Sequence, residues 1–252
     1  MRSQSLLLFV FAICMAAVPR QAVAQAGPPL VTDDPDTPGN HHWEINVAWT
    51  LSQNRTSRLF GVPLLDINYG LGQRLQLKAE VPWLILEDQQ RGTQSGIGST
   101  NLGVKWRFLD KAQHGFNMST YPQLEIRTSA SSARRGLIEQ GAELRLPIEM
   151  SRKLGPVTIV GEIGYQFVQG EKHELVYGLA VASQINKRLA LLTEIHGTAK
   201  RDFGDNEVIF NVGGRFKMNK HYTLLFSSGR SLRGAATGQP TLVAYVGWQF
   251  KF

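Results

Sequence analysis

Cysteine is all but missing from this chain. The single one, Cys14, lies inside a short apolar run near the start. If that run is removed on export, no thiol remains, which excludes disulfides, thiol catalysis and cysteine-based zinc sites. Also lacking is any stretch approaching about 18 consecutive apolar residues, so no transmembrane helix is expected. Charge of one sign is nowhere concentrated: 27 Lys and Arg stand against 20 Asp and Glu, spread along the sequence. Nucleic-acid binding is therefore not expected. No metal site or cofactor is expected either. A mean hydropathy of -0.16 looks soluble, but a membrane barrel gives the same average because half of each strand faces a polar interior.

What is present begins with Arg2, an apolar run from Leu6 to Val18, and Ala22-Val23-Ala24 before Gln25. A charged start, a short apolar centre and an A-x-A site make a cleaved secretory signal peptide over 1–24. Residues 25–42 read as a leader. It contains Pro28, Pro29, Pro35 and the Pro38-Gly39 pair, which rule out a regular strand or helix. Its carboxylates Asp33, Asp34 and Asp36 have the density of a calcium site, but Asp and Pro in such a run are explained by turn chemistry, the favoured reading. A periplasmic leader that tucks under or into a barrel is expected.

From Trp43 to Phe252 about twelve segments alternate with period two, the mark of strands with two different environments. The last is the sharpest. Leu242, Ala244, Val246, Trp248, Phe250 and Phe252 share one face, while Tyr245, Gly247, Gln249 and Lys251 share the other. On a soluble strand such a face invites aggregation; on a membrane barrel it meets lipid, with the aromatics at the interface. The reading is an all-β transmembrane antiparallel barrel of about 12 strands over 43–252, with a buried sandwich strand as the bland alternative. Short connections at 70–74, 109–115, 152–156, 185–188 and 218–221 alternate with longer ones at 52–60, 87–100, 129–140, 169–174, 198–207 and 230–240. Short turns are expected on the periplasmic side and long loops outside. Ser95-Gly96-Ile97-Gly98-Ser99 reads as a flexible outer loop. The facing of 222–229 is ambiguous.

The polar parity collects eight acids, Glu44, Asp66, Glu80, Glu125, Glu143, Glu149, Glu162 and Glu194. It also collects eight bases, Lys78, Lys105, Arg107, Arg127, Arg145, Arg215, Lys217 and Lys251. A charge on the lipid face costs about 2–4 kcal/mol near the midplane, so their confinement to one parity supports a barrel. Lys78, Glu80, Lys105, Arg107, Glu125, Arg145, Glu162, Glu194, His196 and Arg215 are expected to line the interior. They form either a pore or a salt-bridge ladder between neighbouring strands. Trp248, Phe250 and Phe252 look like the terminal signal read by the barrel assembly machinery. Glu194, His196 and Thr198 share a face, but no nucleophile, base and orienting group can be assembled from spacing alone; catalysis is not expected. Arg134, Arg135, Arg230 and Arg233 are placed either to meet lipopolysaccharide phosphates or to form a solvated rim.

Val31-Thr32-Asp33-Asp34-Pro35-Asp36-Thr37-Pro38-Gly39, His42-Trp43-Glu44-Ile45-Asn46 and 63–70 carry a resemblance, joined by 102–108, 121–125 and 229–234. In these the chain resembles the family described as putative MetA-pathway of phenol degradation, outer-membrane transporter-like proteins. The resemblance covers nearly all of the mature chain and rests on strand and turn texture. It implies a bacterial outer-membrane location and passive passage of small organic or aromatic solutes, with outer-membrane lipid as surroundings. It carries no site residues. A closed structural or surface-interaction barrel and an outer-membrane lipid-modifying enzyme are the alternatives.

Overall fold

The computed structural model describes residues 27–138, 141–170, 173–200, 206–233 and 239–252. The signal-peptide reading of 1–24 lies outside the described residues. Fourteen strand segments form one sheet: β1 Trp43–Gln53, β2 Ser57–Leu71, β3 Leu75–Asp88, β4 Gly92–Ile97, β5 Thr100–Leu109, β6 Asn117–Thr120 and β7 Gln123–Ile126. They continue with β8 Glu143–Leu154, β9 Val157–Val168, β10 Glu174–Gln184, β11 Leu189–Lys200, β12 Asn206–Lys217, β13 Tyr222–Ser231 and β14 Leu242–Lys251. β4 and β5 lie end to end along β3. β6 and β7 lie end to end between β5 and β8. Counting each of these pairs as one strand gives a twelve-stranded antiparallel barrel.

Closure is made by β14 on β1, in register from Glu44↔Lys251 to Gln53↔Leu242. The Trp43 and Phe252 backbones add two reciprocal hydrogen bonds at the seam, 3.1 and 3.0 Å. The end of the barrel that holds Trp43 and Phe252 is called the near end below. Closure removes sheet edges, which is what allows strands to stand in lipid without unpaired backbone groups.

The two faces are inverted relative to a soluble protein. Lys105, Glu149, Glu194 and Asn46 are at most 1% exposed, while Trp49 is 59%, Ile163 57% and Trp106 51% exposed. A one-residue slip in any strand would turn its charges to the apolar side, at about 2–4 kcal/mol each. The register is therefore strongly specified.

Several expectations about connections are corrected. The stretch 52–60 is not a long loop, because β1 runs to Gln53 and β2 starts at Ser57. Likewise Ser95-Gly96-Ile97 belongs to β4, paired to β3 through Trp83↔Ile97, Leu84↔Gly96 and Ile85↔Ser95. The break follows at Gly98, whose amide donates to the Pro82 carbonyl at 2.8 Å. Glycine and serine hid this strand from period-two reading. The β6/β7 break falls at Tyr121-Pro122, where proline has no N–H to give the ladder. The ambiguous strand resolves clearly: Leu225 and Ser227 face inward, Tyr222 and Phe226 outward.

Candidate functional site

The leader occupies the lumen. It leaves the near end of the wall at Gly39–His42, where His41 N donates to Gly70 O and Gly70 N to His42 O, both at 2.9 Å. From there the chain runs, against its numbering, up into the barrel. Two wall glycines make this approach possible. A Cβ at Gly70 would overlap the Gly39 backbone, and one at Gly178 would overlap the Thr32 side chain.

Its apolar anchor is Leu30, packed among Val160, Ala180, Ala182 and Leu192. These wall residues face inward. In a water-filled pore they would form an exposed apolar patch; under the leader they are buried. Burying Leu30 contributes about 1.5–3 kcal/mol. The small inward residues of β10 (Val176, Gly178, Ala180 and Ala182) supply the space.

The rest of the leader is held by polar groups. Glu194 Oε1 and Oε2 accept from Val31 N at 3.0 Å and Thr32 N at 2.8 Å. Glu162 Oε2 accepts from Asp33 N at 3.0 Å. Arg215 donates to Pro28 O through Nη2 at 2.7 Å and Nε at 3.0 Å, and Ser227 Oγ donates to Pro29 O at 2.7 Å. Lys105 Nζ reaches Asp33 Oδ1 at 3.0 Å and also the Asp34 carbonyl. Arg107 Nη1 and Asn117 Nδ2 meet Asp36 Oδ1 at 3.3 and 2.9 Å. Wall carboxylates thus take leader amides, and wall cations take leader carbonyls and carboxylates.

This pairing corrects the ladder expected between neighbouring strands. Lys105 pairs with leader Asp33 and with Glu149 at 3.6 Å. Arg107 pairs with Asp36 and with Asp110 at 2.8 Å. Neither meets Glu125, which is half-buried on β7. Lys78 pairs within its own strand with Glu80 at 2.9 Å and across to Asp66 at 3.9 Å. Arg145 and Glu162 do bridge neighbouring strands, β8 to β9. His196 Nε2 lies 3.9 Å from Glu194 Oε1, beyond hydrogen-bond reach, and that carboxylate already holds the leader. A base-and-orienter pair is not assembled there. Trp248, Phe250 and Phe252 stand at the near end, with Trp248 and Phe252 39% and 56% exposed. Arg135 Nη1 donates to Ser95 O at 2.6 Å, tying the 127–138 segment to β4.

Glu149 and Asp66 also face the lumen, both buried, outside the expected pore lining. Parity already marked both. It missed the leader aspartates as lumen groups, since Asp and Pro read as a turn. It also missed the buried chain from Asn46 through Asp66, Asn68 and Gln76 to Tyr121, bonded at 2.8–3.1 Å.

Two spaces remain. Beside the leader aspartates, between Lys105, Asp66 and Tyr121, a cavity of about 40 Å³ is left, close to the size of a single water. On the far side of the leader a vestibule of about 620 Å³ is bounded by Pro28, Val31, Lys78, Glu80, Arg145, His196 and Tyr245, among others. The leader separates a roomy outer chamber from the near end.

No protein-family model matches the chain, and no curated protein matches it. Solved structures do. A COG4313 outer membrane channel from Pseudomonas putida F1 is 16% identical, with a TM-score of 0.66 over 93% of this chain and all of that one. The KdgM porin is 13% identical with a TM-score of 0.61, covering 83% of this chain and 99% of that one. The NanC porin is 10% identical with a TM-score of 0.61, covering 82% and 100%. At such identities the likeness establishes the fold. The chain shares the barrel fold of outer-membrane channels and porins.

Proposed function

We propose that this chain is an outer-membrane channel for small organic solutes, with aromatic compounds and the MetA-pathway resemblance as the finer reading. In this reading solute collects in the vestibule and the leader must shift before it passes. The observation that carries it is a chamber of about 620 Å³, lined by charged, polar and apolar side chains, inside a barrel with an apolar outer surface. A sealed structural barrel has no need of such a chamber. The lipid-facing belt calls for outer-membrane lipid around the barrel, and the rim arginines fit lipopolysaccharide phosphates. The terminal Trp248, Phe250 and Phe252 fit recognition by the barrel assembly machinery. The leader brings Asp33, Asp34 and Asp36 into a path whose wall holds eight acids and eight bases, and a preference for cations is the expected outcome.

The test is planar-bilayer recording on the refolded mature chain. Stepwise currents with cation preference are expected, and Glu80→Lys should shift the reversal potential toward anions. A folded, inserted barrel that never conducts and takes up no solute in liposomes would remove the channel reading.

A further inference from the structure

Charge is spread unevenly around the near-end rim, and one arc of it holds cations without acids. Two neighbouring turns make that arc, 185–188 between β10 and β11 and 218–221 between β12 and β13. Over 184–190 and 216–223 the chain carries Lys187, Arg188, Lys217 and Lys220 and no Asp or Glu. All four cations are exposed. Among the described residues, no ion pair or hydrogen bond reaches their side chains. Elsewhere on this rim cations are answered, Arg74 by Asp110 and Lys251 by Glu44.

The two turns share one construction. They read Ile185-Asn186-Lys187-Arg188-Leu189 and Met218-Asn219-Lys220-His221-Tyr222. In the first, Asn186 Oδ1 accepts from Arg188 N at 2.9 Å and Leu189 N at 3.0 Å. In the second, Asn219 Oδ1 accepts from His221 N at 2.8 Å and Tyr222 N at 3.0 Å. Each asparagine closes its turn and leaves the following lysine at the tip. Lys217 N donates to Arg188 O at 2.7 Å, which ties the two turns together. Their tips stand two strand spacings apart, about 10 Å. Like charges anchored this close repel, and a bound anion relieves that repulsion.

The apolar neighbours indicate which anion. Ile185 and Met218, 37% and 50% exposed, stand just ahead of the two asparagines. Along the strands Leu191, Phe216 and Tyr222 continue the exposed apolar belt. A soluble acidic partner would have to displace lipid from these side chains. An amphiphile with its chains on the belt and its phosphate at the rim matches both features. We infer that this arc binds the phosphate of an anionic phospholipid in the leaflet at the near end. Arg188 and the two turn lysines supply charge-assisted hydrogen bonds to the phosphodiester. The inference goes beyond solute passage and does not depend on whether the barrel conducts.

The experiment is native mass spectrometry of the refolded mature chain, with dioleoylphosphatidylglycerol or dioleoylphosphatidylcholine added at equal concentration. Glycerol 3-phosphate is the soluble phosphate competitor. Phosphatidylglycerol should be retained in preference to phosphatidylcholine, and glycerol 3-phosphate should not displace it. Lys187→Gln with Lys220→Gln, shown folded by unheated gel mobility, should weaken retention about 25-fold, about fivefold for each cation near an anionic surface. Arg55→Gln with Arg91→Gln removes two exposed far-end cations and should leave retention unchanged. Equal retention of the two lipids, or a Lys187→Gln, Lys220→Gln chain that retains phosphatidylglycerol as the parent does, would overturn the inference. So would an equal loss in the far-end pair, or displacement by glycerol 3-phosphate. A barrel that retains phosphatidylglycerol in this way but never conducts would keep the site and remove the channel.

Discussion

Replacing Glu194 with alanine should loosen the leader without opening the barrel wall. Three donors converge on that carboxylate: Val31 N at 3.0 Å, Thr32 N at 2.8 Å and Asn211 Nδ2 at 3.1 Å. A hydrogen bond to a charged group contributes about 1.5–3 kcal/mol net, so the two leader bonds contribute about 3–6 kcal/mol. Alanine also removes the cost of keeping the carboxylate dry, which lowers the expected loss to about 2–4 kcal/mol. At 1.4 kcal/mol per factor of ten, the undocked fraction should rise about 30- to 700-fold. Hydrogen exchange reads this directly, because the Val31 and Thr32 amides exchange when the leader lifts. The assay is exchange of the 27–38 segment by mass spectrometry, with wall segments as internal reference. Glu194→Gln, which keeps one acceptor oxygen, should fall between parent and alanine. Leader exchange unchanged in Glu194→Ala would refute the idea that this carboxylate holds it.

Three further outcomes follow from the same contacts. Lys105→Ala leaves Glu149 and Asp33 facing each other without their shared cation. Breaking a buried charge arrangement this way costs about 3–5 kcal/mol, so the temperature at which the folded gel band disappears should drop clearly. Gly178→Val puts a branched side chain where Thr32 packs; leader exchange should rise while that melting temperature holds within a few degrees, and the opposite pattern would count against leader displacement. Deleting Phe252 removes the backbone bonds to Trp43 and the terminal aromatic, and should lower the yield of assembled barrel in cells more than in refolding from urea.

How much of this could be read in the sequence differs by region. The strands were legible because lipid and lumen impose opposite chemistry on alternate residues, as in Leu102 to Phe108. β4 was not, because Gly92-Thr93-Gln94-Ser95-Gly96 carries no apolar period and is held by distant partners, the β3 ladder and Arg135. The interior charges were legible by parity, but their partners were not. Lys105 and Arg107 look across the strand ladder in sequence, whereas in space they face Asp33 and Asp36 of a segment about seventy residues away. The leader's place was half-written in β10: Gly178, Ala180 and Ala182 are too small to fill an inward face, and Leu30 fills it. Nothing local in Asp33-Asp34-Pro35-Asp36 distinguishes a surface turn from a plug. Only the cations of the folded wall do that.

The central claim is that solute crosses this barrel only when the leader moves, and a reversible lock tests it. A Cβ at Gly178 would sit 3.1 Å from Thr32 Cβ, a few tenths of an ångström short of the usual disulfide range of about 3.5–4.5 Å, a gap that a small shift of the leader restores. Cys14 precedes the expected mature start, so Thr32→Cys with Gly178→Cys would be the sole thiol pair in the mature chain. Single-channel recording before and after reductant is the measurement. The account predicts a silent oxidised barrel that gains stepwise conductance once the bond is reduced. Equal conductance in both states would contradict it.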